Sequence, residues 1–251
     1  MSQIEHKAGA VVITGAAGDI GMSLSETFQS AGYYTIGLDL SADSYNCHVS
    51  LCTDLLSLAV SEQVRKKTRT RILAAADGLP ITALINNAAI QRLGNIGNLT
   101  QSDWTDTINV NVLAPFFLVQ LLLDHLRDAS ATIVNISSIH ASLTKSGFAA
   151  YATSKAALIG LTRSMAVELA PEIRVNALAP AAIDTKMLRA GFGFDEDSLA
   201  ALKSFHPTQS IGDPSEVATS ALFLCSKKVR FLTGAILTLD GGISARLHDP
   251  S

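Results

Sequence analysis

The chain has 251 residues, 48% hydrophobic and 16% charged, which suits one large globular domain, residues 1–251, better than two small ones. A net charge of −3 and a pI near 6.0 leave no basic surface for nucleic acid. No apolar run reaches the roughly 18 residues of a membrane span, and "MSQIEHKAGAVVITG" lacks the charged start, long apolar centre and cleavage site of a secretory leader. A soluble cytoplasmic protein with no membrane partner is expected. Cys47, Cys52 and Cys225 form no C-x-x-C pair, and His6, His48, His125 and His206 have no ligand spacing, so neither a disulfide framework nor a metal site is expected.

Short apolar runs alternate with helical patterns along the chain. "AVVITG" (10–15) reads as a buried strand, β-branched and ended by glycine, and "DIGMSLSETFQSAG" (19–32) as a helix stopped by Gly32. "YYTIGLDL" (33–40) is a second strand and "CHVSL" (47–51) a short third. Residues 54–78 read as helical, 82–89 as a strand, and 102–128 as a long helix whose apolar face widens after Pro115. A strand over 131–138 and a helix over 149–171 follow, then strand, helix and strand over 173–180, 213–226 and 235–242. This order predicts an α/β fold, a doubly wound, mostly parallel sheet with helices on both faces. Residues 186–212 read as one long polar loop placed as a substrate loop or lid.

"TGAAGDIG" (Thr14–Gly21) puts Gly15, Gly18 and Gly21 between the first strand and the first helix. There Gly15 permits the tight turn, Gly18 a close approach of backbone to phosphate, and Gly21 close helix packing, with the helix N-terminus facing a pyrophosphate. Asp39 ends the second strand, 21 residues past Gly18. A carboxylate there accepts from both hydroxyls of an adenosine ribose and repels a 2′-phosphate. Neither "LDLSADS" (38–44) nor residues 16–20 hold an Arg or Lys to neutralise such a phosphate, so NAD is expected rather than NADP.

With "TGAAGDIG", "NNAA", "NVNVLAPF", "ISS", "YATSK", "RVNALAP" and "LTLDGG" in order, the sequence resembles the short-chain dehydrogenase/reductase family nearly end to end. The resemblance implies a one-domain Rossmann fold, a nicotinamide cofactor, reversible alcohol–ketone chemistry on a small-molecule substrate, and a homo-oligomer, tetramer or dimer. It implies a proton relay of Asn111, Ser138, Tyr151 and Lys155, in which the Asn111 side chain and a local kink hold a water. It also implies cofactor contacts from Gly15, Gly18, Asp19, Ile20 and Gly21, from Asn87 and Ala88 of "NNAA", and from Pro180, Ile183 and Thr185. Ala89 and Ala181 stand where the family has glycine. The adenine-contacting aspartate of the third strand has no clear counterpart, with Ser50 and Asp54 nearest.

These residues suit their roles. Tyr151 and Lys155 are spaced i, i+4 and leave one helix face. A free phenol, with a pKa near 10, is a poor base at neutral pH. A neighbouring ammonium and a positive nicotinamide are expected to favour phenolate and make Tyr151 an acid/base, with Lys155 also holding the nicotinamide ribose. Ser138 ends a strand at the sheet's carboxyl edge, where its hydroxyl can hydrogen-bond a substrate oxygen. Ser137 and Asn109 are the competing neighbours.

The loop 186–212 mixes charges with Phe192, Phe194 and Phe205, and His140, Lys145, Arg92 and Arg189 lie in or near segments that could edge a pocket. This leans towards a sugar, polyol or hydroxy acid. Arg246, in the polar tail, is a candidate contact for an anionic substrate. The alternatives are a 3-oxoacyl-type or other carbonyl reductase, which Asp39 opposes, and a non-enzymatic nucleotide-binding regulator, which has no need of the relay.

Overall fold

The computed structural model describes residues 8–41, 45–191, 193 and 195–247. Its centre is a seven-stranded sheet made of β1 (Ala10–Thr14), β2 (Tyr34–Asp39), β3 (Val49–Cys52), β4 (Ile81–Asn86), β5 (Thr132–Ile136), β6 (Arg174–Pro180) and β7 (Ile236–Leu239). The order is β3-β2-β1-β4-β5-β6-β7, with every neighbouring pair parallel. The direction of winding reverses between β1 and β4. Ligands of such sheets bind beyond the strand carboxyl ends at that switch point.

Strand alternation divides the core between two faces. Val11 and Ile13 pack with Leu24 and Phe28 of helix α1 (Asp19–Ser30), and Ala10 and Val12 belong to the cluster on the opposite face. That second cluster takes Leu55 and Leu58 of α2 (Leu55–Val60) and Ile72 of α3 (Glu62–Ala76). The helical stretch expected over 54–78, whose breaks the sequence leaves open, divides in two, because Ser61 turns extended and its hydroxyl accepts from the Val64 amide as the N-cap of α3.

The long helix expected over 102–128 is interrupted as well. It begins as α4 (Gln101–Ile108) behind a capping box of Thr100 and Asp103, widens to a π-helical turn over Asn109–Leu113, and continues as α5 (Ala114–Asp128). The wide turn directly precedes Pro115, which has no amide hydrogen to keep a regular ladder. Within Gln101–Asp128 one 18-residue window, of mean hydropathy 1.5, is apolar enough to cross a membrane by length and composition alone, and half of it is buried inside this domain. Leu118, Leu122 and Leu126 of this stretch are core residues, fully buried among the strands and helices of the domain.

Helix α6 (Ala149–Glu168) lies on the same face. The segment read as a loop over 186–212 instead holds α7 (Lys186–Gly191) and α8 (Glu196–Phe205), and α9 (Pro214–Cys225) then packs beside α1. Asp195 caps α8 by accepting from the Ser198 amide, and Leu199 is the one side chain α8 buries.

Candidate active site

The ends of β1, β2, β3, β4, β5 and β6 open on one cavity of about 1190 Å³. At its nucleotide end, Gly15 has φ +65°, and a Cβ there would lie 2.8 Å from the Ala88 Cα. A Cβ on Gly21 would lie 2.0 Å from the Gly15 carbonyl oxygen, so glycine is required where α1 meets its own loop. Gly18 is different: its φ is −76° and its added Cβ meets nothing nearer than 3.5 Å. It stands as the N-cap of α1 without a side-chain cap, which leaves the first amides of the helix facing the cavity. The residues thus form a cradle for an anionic group at a helix start, as a pyrophosphate requires.

Asp39 lines the cavity at the end of β2. Its carboxylate oxygens accept from the Ala17 amide at 3.0 Å and the Ser41 amide at 3.1 Å, which fixes it beside the glycine loop. Asn87 secures the other wall. Its Nδ2 donates to the Thr14 and Gly15 carbonyls at 3.0 and 3.1 Å, and the Asn87 and Ala88 amides both donate to the Thr14 hydroxyl at 3.0 Å. Sequence reasoning passed over Thr14, whose side chain ties β1 to β4 at the switch point. Of the two candidates for an adenine contact, Asp54 lines the cavity and Ser50 does not. The Asp54 carboxylate also caps α2 through the Leu56 amide at 3.0 Å.

Ser138, Tyr151 and Lys155 meet at the other end of the same cavity. Ser138 follows β5 and caps a short 3₁₀ turn, Ile139–Ala141, accepting from the His140 amide at 3.2 Å and donating to the Pro180 carbonyl at 3.4 Å. Ser137 donates to the Lys155 carbonyl at 3.0 Å, so it joins β5 to α6. Lys155 is 2% exposed, and its Nζ donates to the Ile136 carbonyl at 2.8 Å and lies 5.6 Å from the centre of the Tyr151 ring.

Burial governs the titration of the pair. The Lys155 ammonium is pushed down to about 8 by desolvation. The Tyr151 phenol is pushed up to about 12, again by desolvation, with hydrogen bonding from Ser138 a smaller opposing effect. The lowered phenol expected from the sequence is therefore not found in the ligand-free protein: desolvation outweighs the hydrogen bonding from Ser138.

Asn111 sits in the π-helical turn, completely buried. Its Nδ2 donates to the Ile90 carbonyl at 3.0 Å and the Ser154 hydroxyl at 2.9 Å, and its Oδ1 accepts from the Ile90 amide at 2.9 Å. Both amide hydrogens are thus committed to protein, and only the second lone pair of Oδ1 is left to accept from a water. The kink is present as expected. The side chain uses it to tie the segment after β4 to α6.

Pro180, Ile183 and Thr185 line the cavity after β6, together with Asp19 and Ile20 of the glycine loop. Ile183 bridges to Gly212, and the Thr185 hydroxyl accepts from the Leu188 amide at the start of α7. The Asp19 carboxylate accepts from the Lys186 amide at 2.6 Å, linking the glycine loop directly to α7. Arg189 departs from expectation: it forms a two-pronged pair with Asp184 at 2.6 and 2.7 Å and lies off the cavity wall. Phe205 is exposed and off the wall too, while Phe192 and Phe194 lie outside the described residues. His140, Lys145, Arg92 and Arg246 do line the cavity, as does the buried His206, which sequence reasoning set aside. The His140 ring stacks on Phe148 at 4.4 Å and meets Tyr151 edge-on at 5.9 Å, and burial, then the Lys145 charge, holds it below its ordinary pKa. Among the described residues no group of His, Cys, Asp and Glu is placed to hold a metal.

Residues 15–244 match a family model described as enoyl-(acyl carrier protein) reductase. Protein FixR of Bradyrhizobium diazoefficiens is 35% identical, covering 92% of this chain and 85% of its own, and the 5-keto-D-gluconate 5-reductase of Escherichia coli is 34% identical, covering 93% and 94%. The human dehydrogenase/reductase SDR family member 4 is 33% identical over 84% of this chain and 72% of its own. Among solved structures, the ligand-free aldohexose dehydrogenase of Thermoplasma acidophilum superposes with a TM-score of 0.89 at 32% identity, covering 97% of this chain and 96% of that one. A 4-hydroxyisoleucine dehydrogenase with NADH and ElxO with NADP each reach 0.84, at 27% and 28% identity, each covering 95% of this chain and 100% and 99% of theirs. The chain belongs to the short-chain dehydrogenase/reductase family, and its relatives are oxidoreductases built on the same Rossmann-like sheet.

Proposed function

We propose that this protein is an NAD-dependent dehydrogenase that interconverts a small polar secondary alcohol and its ketone. The observation that carries this reading is the convergence of Ser138, Tyr151 and Lys155 on the cavity that Gly15, Gly18 and Asp39 also line. The residues present fit a dinucleotide: Gly15 and Gly21 let the loop close tightly onto its neighbours, Gly18 puts bare backbone at the cavity, and α1 starts there without a side-chain cap. The Asp39 carboxylate selects NAD by accepting from the adenosine ribose hydroxyls, where a 2′-phosphate would meet like charge. NAD, when bound, supplies the hydride acceptor and a positive ring charge.

The chain's own groups handle the proton. The Ser138 hydroxyl hydrogen-bonds the substrate oxygen and orients it towards Tyr151. The Tyr151 hydroxyl takes the alcohol proton in oxidation and returns it in reduction. Starting from about 12, the phenol needs nearby positive charge to act near neutral pH, and the Lys155 ammonium, fixed by Ile136, contributes the part that belongs to the protein. Asn111 is a positioning residue that holds α6, and with it Tyr151 and Lys155, against the wall after β4. The relatives named for 5-keto-D-gluconate and aldohexose support a polar, hydroxylated substrate. Screening sugars, polyols and hydroxy acids with NAD and with NADP, by the absorbance of the reduced cofactor, tests the reading. Turnover with NAD is expected, and turnover with NADP alone would contradict it.

A further inference from the structure

His140 stands beside Ser138 and Tyr151 without a share in the proton transfer. It follows Ser138 by two residues, on the 3₁₀ turn Ile139–Ala141, and its amide donates to the Ser138 hydroxyl oxygen at 3.2 Å. Three contacts fix its ring. One face stacks on Phe148, with centres 4.4 Å apart and planes 4° from parallel. Tyr151 meets it edge-on at 5.9 Å. Nδ1 lies 3.2 Å from the Thr144 hydroxyl, in a hydrogen bond that either atom can donate. The protein itself thus sets the orientation of the ring, as a recognition group requires.

The second ring nitrogen, Nε2, has no protein partner among the described residues. It is not sealed off either: the buried side-chain atoms left unpaired among those residues are Asn86 Oδ1 and His206 Nε2. His140 lines the cavity together with Ser138 and Tyr151, so Nε2 offers one hydrogen bond beside the reacting centre. Burial, then the Lys145 charge, holds the ring below its ordinary pKa, which leaves it uncharged near neutral pH. A neutral imidazole has one N–H and one lone pair. With Nδ1 committed to Thr144, Nε2 is either the donor or the acceptor. An alcohol hydroxyl answers both, whereas a carboxylate or a ketone oxygen can only accept.

From this arrangement we infer that the substrate is a vicinal diol: one hydroxyl is oxidised against Ser138 and Tyr151 while His140 Nε2 holds a second hydroxyl on the adjacent carbon. The inference rests on the dehydrogenase reading and narrows its substrate to a 1,2-diol unit, which becomes an α-hydroxy ketone. In that step the hydride leaves carbon for NAD, the proton of the reacting hydroxyl goes to Tyr151, and the neighbouring hydroxyl is unchanged. His140 touches the substrate and sets specificity, and it takes no proton. Its amide lies on the Ser138 hydroxyl and its ring edge-on to Tyr151, so an oxygen it holds is next to the one they hold. A lone secondary alcohol would leave Nε2 without a partner once the cavity is filled, and a site built around such a bond rejects the analogue that lacks it.

The test takes the best substrate from the screen of sugars, polyols and hydroxy acids and identifies the oxidised carbon by NMR of the product. Its kcat/KM is compared with that of the analogue lacking the hydroxyl on the adjacent carbon, and 2,3-butanediol is compared with 2-butanol and 1,3-butanediol. Loss of the adjacent hydroxyl is expected to lower kcat/KM by about tenfold or more. His140→Phe keeps a flat ring against Phe148 and Tyr151 but has no nitrogen. It is expected to bring the two values within about twofold of each other and leave the Kd for NADH unchanged. His140→Gln, whose side chain still hydrogen-bonds, is expected to keep more of the preference than His140→Phe, which a packing role alone would not produce. A best substrate without an adjacent hydroxyl, equal kcat/KM for substrate and analogue, 1,3-butanediol matching 2,3-butanediol, or a preference that survives His140→Phe overturns the inference and leaves the dehydrogenase reading standing. Absence of turnover with NAD across the whole screen removes that reading, and this inference with it.

Discussion

The Lys155 ammonium donates to the Ile136 carbonyl, 2.8 Å away at the end of β5, while Ser138, two residues further on, faces Tyr151's cavity. One strand end therefore holds both the cation and the hydroxyl that flank the phenol. The cation is almost completely buried, so its charge carries a desolvation cost that depends on pH.

That cost gives a stability prediction. The Lys155 pKa falls from 10.5 to about 8 on folding, so between those values the unfolded chain binds more protons than the folded one. Stability contributed by this group rises with pH through that window. Compared with Lys155→Met, wild type is expected to gain roughly 2 kcal/mol between pH 8 and pH 10, at about 1.4 kcal/mol per unit. Urea unfolding of both proteins across that range measures it, and a constant difference would show that the ammonium is not desolvated.

Gly21 and Gly18 should respond differently to alanine. A Cβ at Gly21 lies 2.0 Å from the Gly15 carbonyl oxygen, a clash with backbone that costs about 1–3 kcal/mol or more. A Cβ at Gly18 makes only a 3.5 Å contact. Thermal melting of the cofactor-free proteins is expected to drop for Gly21→Ala and stay near wild type for Gly18→Ala, whose defect should appear in NADH affinity instead. Equal melting losses would contradict this assignment of the two glycines.

Asn111→Ala removes three buried hydrogen bonds and strands their partners on Ile90 and Ser154. At about 1 kcal/mol for each bond, and more where a partner stays unsatisfied, the expected loss is roughly 3 kcal/mol by chemical denaturation. Ser154→Ala, which removes one of those partners, should lose less. A near-neutral Asn111→Ala would return this residue to a purely chemical role.

Asp39→Ala removes the charge that opposes a 2′-phosphate and frees the Ala17 and Ser41 amides to meet one. The ratio of kcat/KM for NAD over NADP is expected to fall by about tenfold or more, in line with the loss of one charged interaction. An unaltered ratio would place cofactor selection elsewhere.

Much of this architecture is readable from residue patterns. Continuous β-branched runs such as "AVVIT" become fully buried parallel strands, and the glycine spacing places the turn and the helix contact. What escapes is set by packing at a distance. The π-helical turn depends on Asn111 reaching Ile90, 21 positions away, and on Ser154 in another helix. The direction of the Tyr151 shift depends on how much water the folded chain removes, which spacing cannot disclose. Helix α8 was legible: Asp195 with Glu196 and Asp197 behind it is an acidic helix start, and Lys203 closes the last turn. Arg189, a nominal pocket cation, is claimed by Asp184 only five residues before it, whereas Arg246 reaches the cavity only through the bend after β7.

The phenol's role is tested most directly by Tyr151→Phe, assayed by steady-state oxidation of an accepted alcohol and by NADH titration of the same protein. Removing one hydroxyl is expected to lower kcat by about 10²–10⁴-fold, the usual contribution of general acid–base catalysis, while the Kd for NADH stays within about twofold. Turnover retained at the wild-type rate with intact NADH binding would contradict the assignment of the proton to Tyr151.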